Sequence, residues 1–414
     1  MAIVMAGLAM AGAGWLCRPQ VVMLNEGTKL TLLRVEYGRH HVMPKVKTTG
    51  PGMGGGAMTF DTTNNTLVAW ILSEHKKNQW PNYEVLACDR AETACVASYA
   101  GGSSRQIKDG MEIMGIQLNA FPRRERKLEL RFMSWGQGGQ QLAKGGFVVS
   151  NPARESFPRW AAEPLPDTQS DGDLAVTLTH LVSGVRGFNG GGPGKVPDKA
   201  VRASFSMMQN GAAATNWQPV QIETSDATGN HTVNNSWSSA QENDEAVMIY
   251  QWGLWPDEPA WKLRVEMSRT SGFTTNETWT VSDIPVEAGS EQDLWNYNGR
   301  RNRKEVTSFA ETTLNGIHLK ILPVLAWADR NRDGHKMGGF RVLADPAPDQ
   351  FRLTLDITND RGRRVQTMGS SLNNGCYGYR LGDLGNTKTL NVTLALHKSR
   401  FVEFTVKPQT AGDD

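Results

Sequence analysis

No surplus of charge marks this chain. Lys and Arg number 44 against 42 Asp and Glu in 414 residues, so no global field draws nucleic acid or an anionic membrane. Spaced metal-ligand sets are missing as well. There are eight His and four Cys, with no HExxH and no CxxC, and metal catalysis therefore has no sequence support. A G-x-S-x-G elbow is absent, which argues against a serine hydrolase of that fold. The run "GGGPGKV" (190–196) has Asn189 where a phosphate loop needs its first glycine and Val196 where it needs Ser or Thr. Paired carboxylates for glycoside hydrolysis leave little spacing signature and stay open. Beyond the N-terminus no window of twelve or more residues holds a 3.6 period without a breaker, which excludes a helical fold.

What is present is strand. "TKLTLLRVEY" (28–37), "NTLVAWIL" (65–72), "DLAVTLTHLV" (173–182), "EAVMIYQW" (245–252) and "TLNVTLAL" (389–396) are strand-like runs bounded by Gly, Pro and Asn. Glycine, at 43 residues, lies in clusters between such runs, as many short strands joined by turns require. The length calls for two to four domains.

Three stretches share an alternation: K-L-E-L-R-F (127–132), K-L-R-V-E-M (262–267) and R-L-T-L-D-I (352–357). Each follows a proline loop, and each region closes on a second strand before another proline: 147–149, 279–281 and 404–406. A two-part pattern recurring three times in order predicts three related domains, with Leu128, Leu130, Leu263, Val265, Leu353 and Leu355 pointing inward. The expected fold is all-β: two to three tandem immunoglobulin-like β-sandwiches after an N-terminal hydrophobic segment. The expected boundaries are a segment at 1–19, sandwiches at 20–152, 173–286 and 305–414, a proline-rich linker at 153–172 and a second linker at 287–304.

Residues 2–17 carry no charge and Arg18 follows. A helix of that length rises about 24 Å, short of the roughly 30 Å hydrocarbon core. The segment predicts an export signal or anchor, hence membrane attachment and an envelope or periplasmic location. The clusters Arg123, Arg124, Arg126, Lys127 and Arg300, Arg301, Arg303, Lys304 lack interleaved aromatics and read as solvated loops, without nucleic acid as a partner.

The stretches "GTKLTLLRVEYGRHHV", "PAWKLRVEMSRTSGF" and "TLALHKSRFVEFTVKP" carry a resemblance to uncharacterised bacterial envelope proteins that pair an N-terminal anchor with tandem β-sandwich domains. The resemblance spans most of the chain and implies no catalytic residues.

Candidate sites are few. "WADRNRDGHK" places Asp329, Asn331, Asp333 and Gly334 as a calcium loop begins, but Met337 and Phe340 stand where the later ligands belong. Asp and Gly also suit a hairpin turn, and the turn is the reading taken, with calcium the minority alternative and no other cofactor expected. His40 and His41 are adjacent and fall on opposite faces of a strand. In "YQWGLWPDEPAW", Trp252 and Trp255 are the candidates for stacking on a sugar or anchoring a protein, Trp255 being expected in an exposed loop while most of the aromatics fill a core. A hairpin with a two-residue loop sets Cys88 opposite Cys95, predicting a disulfide in an oxidising compartment. Cys17 and Cys376 have no evident partners. Together these features predict an exported, membrane-anchored envelope protein with a binding or structural role toward a protein or glycan. The alternatives are an exported glycan-active hydrolase with its site between sandwiches, or a calcium-dependent adhesion module.

Overall fold

The computed structural model describes residues 20–44, 59–76, 83–89, 95–96, 99–134, 141–153, 156–185, 200–235, 238–242, 244–250, 253–295, 307–329, 334–347, 350–373 and 375–411. The chain is predominantly β, organised into several sheets. Among the described residues the helical elements are one turn of 3-10 helix (Thr275–Glu277) and one short α-helix (Glu291–Trp295).

The first unit has two sheets. One runs Val21–Met23, Lys29–Val42, Thr59–Glu74, Met111–Leu118, Tyr99–Lys108 in spatial order; the other runs Cys95–Val96, Tyr83–Cys88, Lys127–Ser134, Phe147–Ser150. Alternation decides which side chains go inward. Leu128 and Leu130 are buried, and the register sets them against Val149 and Phe147. They meet Leu30, Leu67 and Ile71 of the first sheet in one apolar cluster.

The middle unit repeats the plan. A seven-stranded sheet includes Asp167–Asp171, Leu174–Val185, Ala200–Gln209 and Glu245–Tyr250, and a four-stranded sheet runs His231–Asn235, Trp217–Asp226, Trp261–Arg269, Arg400–Val406. Leu263 pairs with Phe404 and Val265 with Val402, all buried. The apolar side chains of this unit belong to the same cluster as those of the first unit, whereas the third unit has a cluster of its own. That third unit is a nine-stranded sheet system built from Thr278–Ala288 and the strands between Ala310 and Lys398.

The sheet membership therefore groups the chain differently from composition. The strand Arg400–Val406 lies in the middle unit, beside Trp261–Arg269, and Gln409–Thr410 pairs in parallel with Val182 and Ser183. Trp279–Val281, expected to close the second region, pairs instead with Leu394–Val392 in the third unit. The third unit is thus inserted between two neighbouring strands of the middle one. The proline-rich stretch expected as a linker also lies along the middle unit: Glu163 bridges Val406, and Asp167–Asp171 is an edge strand of the seven-stranded sheet. Alternation specifies a buried face and leaves the neighbouring strand open, so these pairings were beyond reach of the repeat pattern.

All three alternating stretches are strands, as expected, but not all their leucines are buried alike. Leu353 and Leu355 are half-buried, on the strand Phe351–Asn359 that ends the strand order of its sheet beside Thr389–Lys398.

Candidate functional site

The connection from Leu118 to Lys127 reads Asn-Ala-Phe-Pro-Arg-Arg-Glu-Arg. Ala120 and Phe121 are fully buried and pull the loop against the protein. Arg123 follows them in and is 6% exposed. Its Nε donates to Asn230 Oδ1 at 3.0 Å, one Nη to Tyr37 Oη and the Thr228 carbonyl at 3.0 Å each, and the other Nη to the carbonyls of Asn65 and Asn119 at 3.3 and 3.4 Å. All five N–H groups of the guanidinium are occupied. The plane also lies over the rings of Tyr37 and Phe121, 5.4 and 5.0 Å from their centroids.

The acceptor is itself held in place. Asp226 Oδ1 accepts from Thr228 N and Oγ1 and from Asn230 N, and its Oδ2 accepts from Asn230 Nδ2 at 2.8 Å. That fixes the Asn230 amide so that Oδ1 faces Arg123 and the Phe121 N–H at 3.1 Å. A polar joint thus ties the first unit to the middle one. The cluster Arg123–Lys127, expected as a solvated loop, is exposed except at Arg123, the keystone of this joint, which follows the apolar Ala120 and Phe121 inward.

Beside it, Arg124 Nε reaches both oxygens of Glu258 at 2.8 and 3.0 Å, and its Nη atoms reach the carbonyls of Phe157 and Pro158. Burial pushes the Glu258 carboxyl up, and Arg124 works against that shift. Asn151 Nδ2 donates to the carbonyls of Pro122, Arg123 and Glu125, pinning the loop from below. Between the loop and the chain leaving Phe147–Ser150 is a cavity of about 720 Å³ whose lining includes Arg124, Glu125, Arg126, Ser156, Phe157 and Arg159. A second cavity, about 290 Å³, is lined by Thr62, Asn64, Asn65, Gln117, Asn119 and His231 among others. Arg123 lines both.

A third cleft, about 330 Å³, lies where the inserted unit meets the middle one. Arg352 forks onto Glu266, which also accepts from Ser399 Oγ at 2.6 Å. Next to it His397 is fully buried, with Nε2 accepting from Ser268 Oγ at 2.9 Å and from the Arg269 N–H at 3.2 Å. An amide N–H can only donate, so Nε2 is unprotonated and the ring proton sits on Nδ1, which has no hydrogen-bond partner. Burial first, and Arg269 second, bring the His397 pKa down to about 4. The Ser–His contact has the length a nucleophile and base would need. Here Nε2 is shared with a backbone amide and no carboxylate among the described residues orients Nδ1, so the pair functions as a latch between Trp261–Arg269 and Thr389–Lys398.

The residues singled out from sequence fall elsewhere. Trp255 is 5% exposed and packed in the core, its carbonyl accepting from Trp261 Nε1 at 3.0 Å. It offers no exposed stacking face, because Leu254 and Ala260 draw its loop down onto the sheet. Trp252 lies outside the described residues. Asp329 donates its N–H to the His335 carbonyl at 2.9 Å, closing the connection between the antiparallel strands Val324–Ala328 and Lys336–Asp345, and Gly334 has φ +80°. The flanks are those of a hairpin; Asn331 and Asp333 lie outside the described residues. No group of three or more His, Cys, Asp or Glu is placed to hold a metal among the described residues. His41 is buried and His40 exposed beside Asp61, on opposite faces. Cys88 is buried, and the register sets it across from Cys95. Cys376 is half-buried, its thiol pushed up by burial. Residues 1–19 lie outside the described residues, and no described helix is long and apolar enough to cross a membrane.

The chain matches no protein-family model and no curated protein sequence.

Proposed function

We propose that this is an exported, membrane-anchored envelope protein whose two-sheet units are immunoglobulin-like sandwiches and whose role is binding. The observation that carries the binding role is the joint between the first and middle units. A loop held by every donor of Arg123 and by Asn151 presents a cavity of a size typical for ligands, about 720 Å³, on a rigid support. Among the described residues its lining holds four arginines and one carboxylate, Glu125, a composition better suited to holding a ligand than to paired-carboxylate hydrolysis.

Export is supported by the uncharged run 2–17 and by the facing positions of Cys88 and Cys95, which an oxidising compartment would join by removing two protons and two electrons. The test is fractionation of cells making the full chain, followed by alkylation of the denatured protein without reductant. Recovery with membranes and protection of Cys88 and Cys95 are expected. Reduction should then lower stability by about 2 kcal/mol, the loop-closure value for so short a loop. Cytosolic protein with both thiols alkylated would overturn the export reading.

A further inference from the structure

We propose that the two cavities beside Arg123 bind an acidic oligosaccharide, with a sugar carboxylate held by Arg126 and Arg159 and hydroxyl groups read by the side-chain amides of Asn64, Asn65, Gln117 and Asn119. The inference rests on the binding role proposed above and names the ligand.

The assignment follows from which donors are free. Arg123 and Arg124 line the larger cavity, but every N–H of Arg123 is engaged, and each guanidinium nitrogen of Arg124 already donates, to Glu258 or to the carbonyls of Phe157 and Pro158. Arg126 and Arg159 also line it, both are exposed, and neither forms an ion pair among the described residues. Two open guanidinium forks facing one cavity fit a carboxylate, which accepts two parallel N–H bonds from such a fork. Phe157, half-buried at the same cavity with the Arg124 guanidinium 5.9 Å from its ring centroid, adds apolar contact for the C–H side of a sugar ring.

The smaller cavity distinguishes a sugar from a bare anion. Its walls carry the hydroxyls of Thr62 and Thr63, the His231 ring, one carboxylate, Asp61, which is paired with His40, and the amides of Asn64, Asn65, Gln117 and Asn119, which make no side-chain hydrogen bond to protein among the described residues. Amides both donate and accept, which matches the hydroxyls of a neutral sugar. Sulfate or phosphate would use the arginines and leave this wall unused. A sugar that carries both carboxylate and hydroxyl groups uses both cavities flanking Arg123.

Calorimetry on the full chain tests this with three probes: trigalacturonic acid, neutral maltotriose and sodium sulfate. Trigalacturonic acid is expected to bind at least about tenfold more tightly than maltotriose, the worth of one charge-assisted contact, and sulfate at equal concentration is expected not to displace it. Arg126→Gln with Arg159→Gln should remove that preference, and Asn119→Ala should weaken the acid while leaving the melting temperature unchanged. Equal binding of the neutral sugar, or displacement by sulfate, would overturn the assignment. So would failure of trigalacturonic acid to bind. The fractionation and alkylation results do not depend on any sugar, so failure here is distinct from failure of the export reading.

Discussion

Bringing the protein from pH 7 to pH 4 is expected to remove about 3 kcal/mol of stability through His397 alone. The group is neutral in the fold with its pKa held near 4, whereas in the unfolded chain it titrates near 6.5. Between those values the unfolded state binds a proton that the folded state refuses. Stability is therefore fully present above pH 6.5 and is lost as pH falls toward 4. Burial is the main cause. The neighbouring charges act in both directions, with Arg269 and Arg352 lowering the value and Glu277 and Glu266 raising it; the Phe273 ring, 4.9 Å away, supplies apolar cover. Carboxylates titrate in the same window, so the measurement is a comparison of urea midpoints for wild type and His397→Gln at several pH values. Glutamine keeps an acceptor for Ser268 and Arg269 and cannot titrate. Its curve should be flatter by the stated amount, and parallel curves would show that His397 is not the group responsible.

Arg123→Ala should cost about 3–5 kcal/mol, the range for breaking a buried polar network and leaving its partners unpaired. The substitution takes the arginine donor from Tyr37 Oη and the carbonyls of Thr228, Asn65 and Asn119, and leaves Asn230 Oδ1 with the Phe121 N–H. Lysine, with three donors in place of a fork of five, should recover only part of the loss. Asn230→Ala should be coupled to it: the double variant is expected to lose less than the sum of the singles by about 1–3 kcal/mol. Additive losses in urea unfolding would mean that the two residues do not share one network.

How much of this was legible in the sequence depends on the range of the interaction. Local alternation made Lys127–Ser134, Trp261–Arg269 and Phe351–Asn359 readable as strands, and the apolar positions of the first two are buried. The antiparallel pairing of Val324–Ala328 with Lys336–Asp345 fits the hairpin reading, because Asp and Gly suit such a connection. Arg123 was misread because a charged run resembles a solvated face until its acceptors are known, and all but Asn119 lie 58 to 107 positions away. Trp255 was misread because proline and glycine around it signal a loop and say nothing of what the loop covers. The latch at His397 left no trace at all: Ser268 and His397 lie 129 positions apart, and neither neighbourhood has a spacing that announces the other. The insertion of the third unit was hidden for the same reason, since Phe404–Val406 looks alike whichever strand it joins.

That insertion decides how the protein would carry mechanical load. The two ends of the third unit leave from Trp261–Arg269 and Arg400–Val406, hydrogen-bonded neighbours with Met267 opposite Arg400. Tension applied between Gln20 and Ala411 would run through the first unit and the middle sheets and pass the third unit by, leaving it slack as a pendant. Only when Arg400–Val406 is stripped from its neighbour would the third unit come under force. In a stretching trace its length should therefore appear after the middle unit yields and never before.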